Sequence, residues 1–262
     1  MAQNAVCAQI PEEETEQILS CILDMGELLL VSGAEVMRVE DTIHRLCTAY
    51  GFVKTDVFTI TSSIVLTVHG QNDRVFTQTR RIVVRDTDLE RVANVNALSR
   101  KLCSAPVNAE AFRRQLDEIR RERTYPRWVQ IACYGGISAG FSLFFGGTIQ
   151  DAAAALMSGI VLFGVLQFCR LLKLNSILQS ILASGVTALA VVLLISAGIG
   201  QHADKITIGN IMLLIPGIAF TNSLRDLING DTISGILGLS ESVVKAVAIA
   251  IGFAAVLTQV GG

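Results

Sequence analysis

Charge is what the second part of this sequence lacks. Beyond Trp128 the only charged side chains are Asp151, Arg170, Lys173, Asp204, Lys205, Arg225, Asp226, Asp231, Glu241 and Lys245, in a 262-residue chain that is 51% hydrophobic and 17% charged. That composition excludes an ordinary soluble domain of average make-up. The six cysteines, at 7, 21, 47, 103, 133 and 169, form no C-x-x-C pair. This argues against a disulfide framework or a zinc site and for reduced, buried thiols. No G-x-S-x-G, H-E-x-x-H or G-x-x-x-x-G-K-[ST] occurs; no enzymatic activity is expected, no cofactor or metal is expected, and ATP-driven transport by this chain is not expected. A net charge of −2 excludes a globally basic nucleic-acid binder. The first thirty residues lack the basic start, apolar core and small-residue cleavage site of a signal peptide, so none is expected.

What is present after Trp128 is apolar sequence in span-length runs. A bilayer core of about 30 Å needs roughly 20 apolar residues per helix, and five segments meet that length near 127–146, 151–169, 177–199, 206–224 and 240–260. Small residues recur in them, as in Gly135-Gly136, Ser138-Ala139-Gly140 and Gly159, which predicts closely packed helices. The cations fall on one side: Arg113, Arg114, Arg120, Arg121, Arg123 and Arg127 before the first run, Arg170 and Lys173 after the second, Arg225 and Lys245 around the last connection. The amino-terminal part is therefore expected in the cytoplasm and the carboxyl terminus outside, with Tyr125 and Trp128 as an interfacial anchor. Five spans, an odd number, read as half of an inverted repeat that a second unit would complete.

Before the spans, residues 13–50 read as two amphipathic helices, one carrying Ile18, Leu19, Ile22, Met25 and Leu29, the other Val36, Val39, Ile43 and Leu46. Ser32-Gly33-Ala34-Glu35 between them has the spacing of a capping box for the second helix. Strands are expected at 53–60, 63–68 and 74–80, with a polar turn at Gly70–Asp73, then helices at 87–103 and 108–123. The expected fold is thus a multi-pass α-helical membrane protein with five transmembrane helices (125–262) behind an N-terminal cytosolic α+β domain with a helical stalk (1–124). Glu40 and His44, four apart on a helix, read as a solvated surface pair, with an acid–base couple as the alternative.

The stretch 222–235, NSLRDLINGDTISG, keeps Asn222, Arg225, Asp226 and Asp231 together at the cytoplasmic mouth of the fourth run, just after Pro216-Gly217. Pro216 has no amide to donate and Gly217 no side chain, so the helix is expected to break there and leave carbonyls free for solute or ion. An Asp near hydrocarbon costs about 2.5 to 3.5 kcal/mol on insertion scales, which makes one kept there a functional candidate. Asp231, ahead of Thr232, is read equally as an N-cap of the last helix or as part of the site. Asn210, Gln167 and Gln179 either line a route or bond between helices, and Glu241 with Lys245 reads as an i, i+4 pair.

SGAE at 32–35, SIVLTVHG at 63–70, TR at 79–80, YPRW at 125–128 and LLIPGIAFTNSLRDLINGDTISG at 213–235 together resemble the threonine/serine exporter family, over nearly the whole chain. The likeness is greatest to the longer subunit of the split, two-component form. It implies a secondary exporter of small polar metabolites in the cell membrane: threonine and serine, or dicarboxylates such as succinate. It also implies a second, short membrane subunit as partner, with a homo-oligomer as a further possibility. On that reading Asp226 binds a substrate ammonium or takes the coupling proton, and Arg225 holds a carboxylate. The contrasting reading is a membrane-anchored cytosolic scaffold or regulator, which needs neither the Pro-Gly break nor intramembrane Asn and Asp.

Overall fold

The computed structural model describes residues 12–69, 74–121 and 125–260; the expected turn at Gly70–Asp73 and Arg123 of the basic cluster lie outside them. The chain divides into two compact units, one drawn from Met1–Arg123 with Ile218–Leu239, the other from Thr124–Gly217 with Ser240–Gly262. The expected division at 124 does not separate the stretch 218–239, which groups with the first unit.

In the first unit, α1 (Glu12–Val31) and α2 (Val36–Ala49) precede an antiparallel sheet of β1 (Lys54–Ile60), β2 (Ser63–His69) and β3 (Val75–Arg81), and α3 (Leu89–Ser104) and α4 (Ala109–Arg121) follow, packed on α1 and α2. A two-residue turn pairs Ile60 with Ser63, and β2 continues the register from Ser63 opposite Arg81 to His69 opposite Val75. The helical and alternating patterns converge on one core. Ile22, Met25 and Leu29 of α1, Val39, Ile43 and Leu46 of α2, Ile64 and Val68 of β2 and Phe112 of α4 are all fully buried. Each such side chain contributes about 1.5 to 3 kcal/mol relative to exposure. Tyr50 stacks on Phe112 at 6.1 Å between centroids and donates its hydroxyl to the Val107 carbonyl at 3.0 Å, which ties the end of α2 to the α3–α4 connection. Burial pushes the Cys47 thiol up to about 12, so it stays un-ionised and unreactive.

The capping box expected at 32–35 does not form. α2 starts at Val36 with Glu35 at its N-cap position and no side-chain cap bond, and the buried Ser32 hydroxyl makes no hydrogen bond. The four residues instead close α1. The Gly33 amide bonds to the Leu30 carbonyl and the Ala34 amide to the Leu29 carbonyl, around Gly33 at φ +89°, where a Cβ would also lie 3.1 Å from the Asp86 carbonyl oxygen. Glu40 accepts the Thr59 amide at 2.8 Å and so faces β1, while His44 is exposed.

The second unit holds α5 (Arg127–Phe144), α6 (Ile149–Leu171), α7 (Ser176–Ser196) and α8 (Ala203–Leu214); α9 (Gly217–Asn229) and α10 (Thr232–Val260) follow. Among the described residues three helices, Ile149–Leu171, Ser176–Ser196 and Thr232–Val256, are long and apolar enough to cross a membrane, or four spans if α8 and α9 together make one broken span. α5, opened by Arg127 and Gln130, is not among them. Helices approach where side chains are smallest. A Cβ on Gly209 would sit 2.4 Å from the Ser138 carbonyl oxygen, and one on Gly252 1.8 Å from Ser184 Oγ and 2.5 Å from the Ile181 carbonyl oxygen.

Candidate solute-binding site

The break expected at Ile215-Pro216-Gly217 is present. α8 ends at Leu214, Ile215 is extended with φ −60° and ψ 127°, and α9 starts at Gly217. α9 is amphipathic, and from Ile218 onward it belongs to the first unit, where it meets the turn that closes α1. Asn222 donates to the Gly33 carbonyl at 2.9 Å, and Arg225 pairs with Glu35, which also lies 3.7 Å from Arg38. Asp226, only 4% exposed, has the Val36 amide at the start of α2 against its carboxylate, yet its Oδ1 has no hydrogen-bond partner. A carboxylate at a helix N-terminus is favoured by the free amides and the helix dipole.

Gly230, at φ +96°, ends α9, and the Asp231 amide returns to the Asp226 carbonyl at 2.9 Å. Asp231 directly precedes α10, and its carbonyl accepts the Gly235 amide at 2.9 Å. Ser234 then donates to the Thr59 carbonyl at 3.3 Å. The structure thus brings Asn222, Arg225, Asp226 and Asp231 to one place and adds Glu35, Glu40 and Thr59. Burial raises the affinity of Glu40 for its proton above the ordinary glutamate value, the Thr59 amide opposes this, and the charges of Asp231 and Asp226 reinforce it.

Asn210 lies in the other unit and is fully buried. Ser138 donates to its Oδ1 at 2.9 Å, and its Nδ2 donates to Ser158 Oγ at 2.8 Å and to the Ile206 carbonyl at 2.9 Å, so its amide bonds α5, α6 and α8 together. Gln167 and Gln179 are half-buried, and Glu241 and Lys245 do not form the expected pair.

A second constellation escaped the sequence reading. Asp151, fully buried, makes a capping box with Thr148 at the start of α6 and also accepts the Gln201 amide at 2.7 Å and the His202 amide at 2.9 Å, with His202 Nδ1 at 2.9 Å from its other oxygen. The T-x-x-D spacing at 148–151 was the available signal.

Long apolar helices with small-residue contacts and a helix broken at proline are those of a multi-pass membrane protein. The family model described as "Putative threonine/serine exporter" matches residues 20–260, and the chain belongs to that family. It is 24% identical over 246 residues, 93% of this chain and 46% of the relative, to the "Probable threonine/serine exporter" of Mycobacterium tuberculosis. It is 20% identical over 220 residues, 81% of this chain and 45% of the relative, to the "Threonine/serine exporter" of Corynebacterium glutamicum. The chain spans about half the length of the curated relatives it matches. No solved structure matches it.

Proposed function

We propose that this chain is one subunit of a secondary exporter of small polar metabolites of the threonine/serine type in the cell membrane. The five spans follow the apolar runs near 127–146, 151–169, 177–199, 206–224 and 240–260; the residues before α5 lie in the cytoplasm and the carboxyl terminus outside, in accord with the placement of the cations. A second short membrane subunit supplies the other set of spans. Export is coupled to protons through Asp226.

The observation that carries this reading is Asp226 itself: a buried carboxylate with an unpartnered oxygen, ten residues past the proline break, in a chain of this family. A dicarboxylate is the poorer fit, because Arg225 is engaged by Glu35 and the neighbouring Asp226, Asp231 and Glu40 repel a dianion. Solute-loaded cells making the chain with its partner subunit are the test. Asp226→Asn is expected to lower threonine and serine efflux by about tenfold or more, the size of losing one charged contact of 1.4 kcal/mol, with membrane insertion unchanged. Undiminished efflux removes Asp226 from the site, and no efflux from the wild type with its partner overturns the exporter reading.

A further inference from the structure

Asp226 Oδ1 is the only carboxylate oxygen among the buried side-chain atoms that lack a hydrogen-bond partner in the described residues. A buried carboxylate oxygen that no protein donor satisfies is what a cationic ligand would complete. The groups acting on it electrostatically are Asp231, Glu35 and Arg85, and Glu35 is already taken by Arg225 and Arg38. Glu40 belongs to the same field, since Asp231 and Asp226 both act on it. It reaches that place from a different element, the middle of α2. Its Oε1 is occupied by the Thr59 amide, and Thr59 is in turn bonded by Ser234 of α10, so β1 holds Glu40 and the 226–234 segment together.

Resting on the exporter reading above, we propose that Glu40 is a ligand-contacting residue of the site and that, with Asp226 and Asp231, it receives the ammonium group of the solute. The three carboxylates come from α2, α9 and the turn between α9 and α10. An alkylammonium carries three N–H donors spread in three directions, which carboxylates arriving from three different elements can accept. The assignment gives the N-terminal unit a share in substrate recognition.

The test uses the full-length chain, purified and reconstituted with its partner, and three probes measured by calorimetry. They are L-threonine, isopropanolamine, which keeps the ammonium and lacks the carboxylate, and β-hydroxybutyrate, which keeps the carboxylate and lacks the ammonium. Glu40→Gln preserves size and the Thr59 bond. It is expected to weaken threonine and isopropanolamine by about tenfold or more and to leave β-hydroxybutyrate unchanged, with Glu40→Asp restoring part of the loss. Equal weakening of all three probes marks a structural role and overturns the assignment, as does threonine binding that Glu40→Gln leaves unaltered. A folded wild type that binds none of the three, and exports nothing, brings down the exporter reading together with it.

Discussion

Replacing Asp151 by Asn should destabilise the second unit by an amount its hydrogen bonds define. Asp151 Oδ1 accepts the Gln201 and His202 amides, and Oδ2 accepts the Thr148 amide and hydroxyl and faces His202 Nδ1. Asn keeps an oxygen for the first two amides as neutral bonds, about half as strong as charge-assisted ones. Its NH2 group turns a donor toward Thr148 and His202. The Thr148 hydroxyl and the imidazole can both switch to accepting, but the Thr148 amide cannot. Losing that cap costs about 1 kcal/mol, and weakening two bonds to a charge worth about 1.5 to 3 kcal/mol each brings the total to roughly 3 kcal/mol. At about 2 to 4 °C per kcal/mol for a chain of this size, the melting temperature in detergent should fall by about 6 to 12 °C. His202→Ala removes one bond from a half-exposed ring and should cost about 1 kcal/mol or less. A melting temperature for Asp151→Asn within about 2 °C of wild type, or a larger fall for His202→Ala than for Asp151→Asn, refutes the reasoning.

Gly252→Ala should lower the melting temperature as well, because a Cβ would lie 2.5 Å from the Ile181 carbonyl oxygen and cannot be relieved by a side-chain rotation. Overpacking of this kind costs about 1 to 3 kcal/mol, whereas Gly136→Ala, whose Cβ meets nothing within 4 Å, should be neutral in the same melt. Glu40 predicts a pH effect of definite sign. Its proton affinity is raised in the folded chain, so the native state binds that proton more tightly than the unfolded state does. Its contribution to stability is complete below the ordinary glutamate value and is lost as pH rises through the raised one. Wild type minus Glu40→Gln, compared by melting temperature across that window, should fall with rising pH; a difference that is flat or rises contradicts the assignment of Glu40 to a buried, acidic neighbourhood.

Local and periodic features were legible without the fold. The apolar faces of α1 and α2, the β-branched runs of the three strands, the apolar runs, and the stop at Pro216 all follow from spacing, side-chain volume and a missing amide, which act over a few residues. The same locality explains the failure at 32–35. Ser32 and Glu35 have the spacing of a cap, but the turn is claimed by the end of α1 through Gly33, and the first amide of α2 faces Asp226, 190 residues further along the chain. No pattern along the chain encodes that meeting, nor the bonds of Asp151 to the 201–202 backbone or of Asn210 to Ser138 and Ser158. Sequence by itself determined which residues are apolar, where helices stop, and that a few ionised groups persist beside long apolar runs. Tertiary structure alone decided which partners those groups have, because the field and hydrogen bonds at a buried carboxylate are set by whatever distant segment packs against it.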